Sequence, residues 1–413
     1  MSGSRPRARQ LSAQRDEAKR IKDPIHDFIV VEPYALDLLD QPAMQRLRYV
    51  RQTGTAHLVY PGANHTRFEH SLGCHHLAHV AADALDLSAD RTRLLGATAL
   101  LHDLGHGPFS HTSELVTESR SGRSHEQRSV DILHEQFTEP LEAHGVDPDE
   151  VEQLILGEHK LKALVSGPLD VDRIDYLLRD GHYTGVATSV DALRLMATVA
   201  MHEDRIVTSR DGLGAAESLL VNRFAMHSAV YYHHTCRAGE LLLERAMLEL
   251  VDSGELSVDE LARMDDYQLV SLLRKHEGEA GRMARRVLDR ELPKVAFEVP
   301  YRALDERWVE AITGDLEELL TLEEQVADHA DVPRRHVQVD APSPPGLPET
   351  EAQIVGPGGE TEPLSQASTL VRSLADAYRD HWHFRVYAPR ESHESVEEAV
   401  PKLIRLERPL DEF

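Results

Sequence analysis

A chain of 413 residues with 71 acidic and 45 basic side chains has a formal charge of −26. It is long enough for two or three domain-sized cores and too acidic to hold nucleic acid or an anionic membrane through net charge, so any phosphate-bearing ligand needs a local cationic pocket. Two cysteines, Cys74 and Cys236, exclude a disulfide framework, and no apolar run approaches the ~20 residues of a membrane span, which predicts a cytoplasmic protein whose metal ligands are His and carboxylates. Histidine is in excess: its 25 copies outnumber Phe (8), Tyr (11) and Trp (2) together, which points to metal or proton chemistry.

In chain order, residues 1–20 are polar and basic and predict a disordered tail; with no further support, nucleic-acid binding does not follow from it. Residues 21–252 carry recurrent helical periodicity, and residues 253–330 continue as acidic accessory helices. From residue 331 to 413 the texture changes to the β-favouring runs HVQVDAP, AQIVGP and HFRVYAP between Pro/Gly-rich segments, with one helix over residues 365–378. The fold class predicted is mainly α with a small α+β C-terminal appendage.

The segment RTRLLGATALLHDLGHGPFSHTSE carries the most chemistry. Leu94 to Leu101 is apolar all round, so this helix is expected to be buried and to end on His102-Asp103. An imidazole and a carboxylate there cost several kcal/mol unless they are satisfied, and a divalent cation satisfies both. Gly105 is expected in the left-handed position after the helix; Gly107 and Pro108 stop its continuation and return His106 and His111 towards the pair. One metal needs more ligands. Upstream, Phe68, Leu72, Leu77 and Val80 define an apolar face that holds His70, leaving His75, His76 and His79 solvated. Downstream, DVDRIDYLLRD follows a Gly167-Pro168 break, and spacings of four put Asp172, Tyr176 and Asp180 on one helix face, with Asp172 as the fourth ligand and Asp175–Arg179 as a surface ion pair. Ser124-His125-Glu126-Gln127 reads as a capping box, which sets His125 in a first helical turn where the dipole favours anions.

In that order, His70, His102-Asp103 and Asp172 match the H…HD…D signature of the HD-domain metal-dependent phosphohydrolases. More narrowly, DPIHDFIVVEP, QRLRYVRQTG, YPGANHTRFEHSLG, LLHDLGHGPFSH, SHEQ and DVDRIDYLLRD, colinear over residues 21–240, resemble the deoxynucleoside triphosphate triphosphohydrolases. The resemblance implies an HD-domain helical bundle in which His70, His102, Asp103 and Asp172 bind one divalent metal (Mn, Fe, Zn, Ni, Co or Mg), and it allows a second Mg carried with the polyphosphate. It implies that His106, His111 and His125 surround the α-phosphate, Glu114 and Glu126 orienting two of the imidazoles and His111 acting as general acid. It assigns Arg67 and Arg173 to the polyphosphate, Gln52, Tyr176 and Asp180 to the sugar, and a reaction from dNTP to deoxynucleoside and tripolyphosphate. Asp40, Gln45 and Arg48 match positions that hold a guanine nucleotide between subunits in a relative, which implies a GTP or dNTP activator and a homo-oligomer, dimer or tetramer. The residues alone also admit a plain reading, with Asp40 capping the helix entered at Pro42 and Arg46 and Arg48 solvated. Asp27 departs from a glycine common in the family, Thr53-Gly54-Thr55-Ala56 replaces a glycine-rich stretch, and no sterile-alpha-motif domain is expected before Ile21. Two other functions compete: another HD-type phosphohydrolase (nucleotidase, phosphodiesterase or nuclease), and a nucleotide-sensing protein that keeps a structural metal.

Overall fold

The computed structural model describes residues 18–186, 190–203, 205–342 and 347–407. Most of the predicted basic tail lies outside these residues; Lys19 and Arg20 already belong to strand β1 (Lys19–Asp23), which pairs antiparallel with β2 (Asp27–Val31). Asp23 closes the hairpin by accepting from the amides of Ile25 and His26 at 2.8 and 2.9 Å. Asp27 stands there at φ 62°, a left-handed conformation that glycine adopts freely and Asp tolerates better than most, so the departure from glycine keeps the turn.

Helices α1 (Pro33–Leu39) and α2 (Pro42–Arg46) each begin on proline, whose fixed φ suits a first turn. Asp40 ends α1, and Gln41 precedes α2, so the expected Asp40 cap on the second helix does not form. Helix α3 (Arg67–Ala84) starts on a Thr66/Glu69 capping box and packs along α4 (Ala89–Leu101), in which every residue from Leu94 to Leu101 is buried. Helix α5 (His111–Ser121) stops at Gly122 with φ 67°, and α6 (His125–Gln136) opens on the predicted Ser124/Gln127 box. Helix α7 (Val171–Thr184) is capped by Asp170, which accepts from the Arg173 amide at 2.7 Å. Helices α8 (Leu213–Met226) and α9 (His234–Asp252) flank a π-helical turn, His227–Tyr231.

The fold is mainly α with small sheets, and two features differ from the sequence reading. Strand β5 (Lys294–Pro300) lies inside the segment read as accessory helices; its short apolar alternation of Val295, Phe297 and Val299 is a period of two that the surrounding helical texture masked. The C-terminal runs also divide between two sheets. Strand β6 (Gln338–Asp340) and β9 (His383–Ala388) join β5 around a core of Trp382, Phe384 and Val386. Strands β7 (Gln353–Val355) and β8 (Thr361–Pro363) extend the pair β3 (Val199–His202) and β4 (Arg205–Ser209), β7 running parallel to β4, and Ile354, Leu364 and Val371 belong to the same core as α3 and α4. The predicted helix is present as α10 (Thr369–Asp380). Among the described residues, no helix is long and apolar enough to cross a membrane.

Candidate active site

Helix α4 delivers His102 at its C-cap and Asp103 one residue later. His102 Nδ1 lies 3.0 Å from the Ala99 carbonyl, so that nitrogen donates and Nε2 keeps its lone pair; Nε2 is buried and has no hydrogen-bond partner. His70, in the first turn of α3, donates from Nδ1 to Asp175 Oδ2 at 2.8 Å and presents Nε2 at 3.0 Å from Asp172 Oδ1 and 3.6 Å from Asp103 Oδ2. His102 Nε2 is 3.4 Å from Asp103 Oδ1 and 3.8 Å from Asp172 Oδ1. Ligands at ~2.0–2.2 Å from one ion lie roughly 3.0 to 3.5 Å apart, so two lone-pair imidazoles and two carboxylates at these spacings fit a divalent metal. Burial opposes ionisation of Asp103, but the Arg67 guanidinium, then His102 and His106, hold it well below the usual carboxylate range; Asp172 is lowered against burial by His102 and His70. Cys74 Sγ sits 3.5 Å from His70 Nε2, within reach of the group that His70, His102 and Asp172 form, and burial pushes its thiol up.

Asp175 and Arg179 are not the expected surface pair: both are fully buried behind His70. Asp175 accepts from His70, from His26 Nε2 at 2.7 Å and from Arg179 at 2.9 and 3.0 Å, and Arg179 reaches Asp23 Oδ2 at 2.9 Å. A Cβ at Gly73 would stand 1.7 Å from Asp175 Oδ1, so only glycine lets α3 approach α7 this closely. Sequence reasoning missed the Asp23–His26–Asp175–Arg179 network, although Asp175 shares the apolar stripe of Val171, Ile174 and Leu178 on α7.

Gly105 is also corrected. It is not left-handed; its role is close approach, because a Cβ there would lie 2.0 Å from the His125 carbonyl oxygen and 2.6 Å from the Ser129 amide. The left-handed residues of this loop are Phe109 (φ 57°) and Ser110 (φ 55°), a strain of order 1–3 kcal/mol each. Asp266 Oδ1 accepts from the Phe109 amide at 2.7 Å, Ser110 Oγ donates to the Arg51 carbonyl at 2.6 Å, and Arg67 Nε donates to that hydroxyl at 2.8 Å. Arg46, expected in solvent, instead donates to the Leu104 and His106 carbonyls at 2.6 and 2.8 Å. The strained turn is thereby fixed, and His111 follows it directly.

His106 and His125 stack at 4.1 Å between centroids, with His111 edge-on to His106 at 5.0 Å. One carboxylate serves two rings: Glu114 accepts from His111 Nδ1 at 2.6 Å and from His125 Nδ1, whereas Glu126 only approaches His125 Nε2 at 3.4 Å. Burial, Arg67 and His125 hold His106 well below the usual imidazole range; for His125, Glu114 outweighs burial and raises it.

His102, Asp103, His106, His111, His125 and Asp172 line a cavity of about 540 Å³ that also takes in Gln52, Arg67, Arg173, Tyr176 and Asp180. Arg67 donates to Asp103 at 2.7 Å and lies 3.3 Å from His111 Nε2. Buried Asp180 accepts from His65 Nε2 at 2.7 Å and the Tyr231 hydroxyl at 2.6 Å, and Tyr176 meets Tyr231 edge-on. Gln52 Oε1 is buried without a hydrogen-bond partner. The lining also includes Arg223, Arg237 and Glu240, which sequence reasoning missed. Arg173 Nε is 3.0 Å from Glu349, which also pairs with Arg223, and Asp340 binds Arg237 at 2.8 Å. Asp40, Gln45 and Arg48 lie apart from the cavity lining: Asp40 is exposed, Gln45 donates to the Leu39 carbonyl, and Arg48 donates to Gln45 Oε1 and lies 3.5 Å over the Phe68 ring. His75, expected in solvent, is fully buried, and His76 and His79 are half-buried.

A family model of the HD domain matches residues 67–180, and one of the HD associated region matches residues 190–412. The chain is 33% identical to an uncharacterized protein of Methanocaldococcus jannaschii over 92% of its own length and 81% of that protein. It is 30% identical to the deoxynucleoside triphosphate triphosphohydrolase SAMHD1 of Homo sapiens over 59% of this chain and 46% of that one, so it spans about half the length of that relative. A phosphohydrolase from Bacteroides thetaiotaomicron superposes with a TM-score of 0.72 at 25% identity, covering 90% of this chain and all of that one. With the HD domain matching residues 67–180 and the associated region matching residues 190–412, the chain belongs to the HD-domain phosphohydrolase family.

Proposed function

We propose that the protein is a metal-dependent dNTP triphosphohydrolase that releases a deoxynucleoside and tripolyphosphate. The observation that carries the reading is the juxtaposition, in one cavity, of the partnerless His102 Nε2 and its carboxylates with the Glu114-bridged histidines and the arginines of the lining. A divalent ion held by His70, His102, Asp103 and Asp172 would polarise a phosphoryl oxygen and make a bound water a better nucleophile. Water oxygen bonds to the α-phosphorus as the bond to the 5′ oxygen breaks; His111 gives that oxygen a proton, and the proton released by the water passes to solvent, from which His111 is reprotonated. Glu114 fixes the tautomers of His111 and His125 by accepting at both Nδ1 atoms, which turns each Nε2 towards the cavity. His106 and His125 flank the α-phosphate, and Arg67, Arg173 and Arg223 answer the polyphosphate charge that a chain of net charge −26 otherwise repels. Gln52, Tyr176 and Asp180 form the sugar edge, where discrimination against a 2′-hydroxyl would be set.

The reading extends to regulation: Asp40, Gln45 and Arg48 would hold a GTP or dNTP activator between copies of the chain. Support for it is the exposed Asp40 beside the tied Gln45–Arg48 pair. Light scattering with and without GTP, on wild type and Asp40→Ala, tests it: a mass that rises with GTP only in wild type is expected, and an unchanged mass removes the site.

The catalytic test is hydrolysis of four dNTPs and four NTPs under a panel of divalent metals, with products separated by anion exchange. Tripolyphosphate from dNTPs is expected. Pyrophosphate or phosphate as the inorganic product would assign a different HD-type hydrolysis, and binding without turnover would assign a sensor.

A further inference from the structure

Helix α3 carries a second set of ligand atoms on the face away from His70. At roughly 100° per residue, His75 and His79 lie about 140° and 180° around the helix from His70, and four residues apart they share one face. We propose that Glu32, His75 and His79 form a second divalent-cation site, of the zinc class, independent of the catalytic centre.

His75 is fully buried, and its Nδ1 lies 3.1 Å from the Gly96 carbonyl, to which it donates. Its Nε2 therefore points with a lone pair at Glu32 Oε2, 3.4 Å away, and neither atom has a hydrogen-bond partner. Two acceptors facing each other repel unless a cation stands between them. His79 Nε2 lies 3.1 Å from the Tyr34 hydroxyl; with that nitrogen donating to the tyrosine oxygen, Nδ1 faces Glu32 Oε1 at 3.6 Å. One ligand atom from each of the three residues falls within 4.8 Å of the others. Both imidazoles thus have their outer nitrogens engaged, on a carbonyl and a phenol, which is how a metal-binding histidine is oriented.

The neighbouring helix is shaped for this cluster. A Cβ at Gly96 would come within 2.3 Å of Tyr34 Oη, 2.8 Å of His79 Nε2 and 3.2 Å of His75 Nδ1, so glycine leaves the space that the groups occupy. Two imidazoles and a carboxylate with a fourth position open to water suit zinc, whereas calcium and magnesium prefer all-oxygen sets. Glu32 and His79 are partly exposed, at 32% and 24%, which gives the ion a route in. Bound there, it would join the end of β2 to α3, and so brace the hairpin that brings Asp23 and His26 to Asp175.

The test strips the full-length protein with a chelator, reloads it with zinc chloride alone and counts bound metal after dialysis. Glu32→Gln and His79→Ala are each expected to hold one equivalent less than wild type while retaining a cooperative thermal transition. Zinc should raise the Tm of wild type more than that of either variant. In an Asp103→Ala background, cobalt should give the visible absorption of a tetrahedral site, lost on adding His79→Ala. Equal zinc content in wild type and both variants, or no cobalt absorption in the Asp103→Ala background, would overturn the site and leave a proton shared between His75 and Glu32. If His79→Ala does not fold, the Glu32→Gln count and its cobalt spectrum decide.

Discussion

The two walls of the active-site cavity are built in opposite electrostatic senses. One, built around the His102-Asp103 turn, presents the partnerless His102 Nε2 beside His70 Nε2 and the carboxylates of Asp103 and Asp172, both held below the usual carboxylate range. The other presents guanidiniums that already have partners, because Glu349 pairs with Arg173 and Arg223, and Asp340 with Arg237. In the proposed function the first wall takes up a cation through lone pairs it already presents. The second can take a polyphosphate only by exchanging one anion for another, so affinity there is set by competition with the protein's own carboxylates.

Variants can break this contrast in either direction. On the metal wall, His111→Ala and His125→Ala are expected to lower kcat by roughly 10²-fold or more with metal content unchanged, since the proposed mechanism has them act on the leaving oxygen and the phosphate; loss of metal in either would move that residue into the ligand set. Behind the same wall, Asp175→Asn should weaken metal affinity by roughly 10- to 100-fold, because it removes the carboxylate that orients His70. Metal titration of the stripped protein measures it, and an unchanged affinity would reduce Asp175 to a packing residue. On the arginine wall, Glu349→Gln should lower KM for a dNTP by several-fold, as it withdraws the competing charge while keeping the side-chain size; a raised KM would mean that Glu349 positions the arginines.

The smallest expected effect lies in the strained turn. Burial pushes Asp266 up to about 6, although the Phe109 and Arg51 amides and the Arg51 side chain pull the other way. A folded-state pKa above the unfolded value of about 3.9 means that the folded chain holds the proton more tightly. This contribution is full below about pH 4 and is lost as pH rises through about 6, at up to roughly 1.4 kcal/mol per pH unit. Asp266→Asn removes that slope, so its Tm should gain on wild type between pH 4 and 7; parallel curves would show that Asp266 is ionised throughout.

The same contrast explains what was legible in the sequence. Leu94–Leu101 could be read as a buried helix ending on His102-Asp103, the Ser124/Gln127 box as a helix start, and the Asp172–Tyr176–Asp180 face as one wall, because each is a local period or a local cap. Asp175 and Arg179 were misread because an i,i+4 ion pair looks the same on a surface as in a core; what buries it is Gly73, a hundred residues away on another helix. His75 and Arg46 failed likewise, their partners being the Gly96, Leu104 and His106 carbonyls. Of the arginine wall only Arg173 was named from the sequence; Arg223 and the shared partner Glu349 were not, since Glu349 meets Arg173 and Arg223 across more than a hundred residues. Nor did the short β7 run reveal that it would pair with β4 rather than with its sequence neighbour β6.

A divalent ion at His70, His102, Asp103 and Asp172 is the proposed centre of turnover. Its most direct test is elemental analysis of wild type and Asp103→Ala purified side by side, with dNTP hydrolysis followed on the same samples. One metal equivalent lost from Asp103→Ala together with its hydrolysis is the predicted result. Equal metal content in the two proteins, with hydrolysis surviving in the variant, would contradict it.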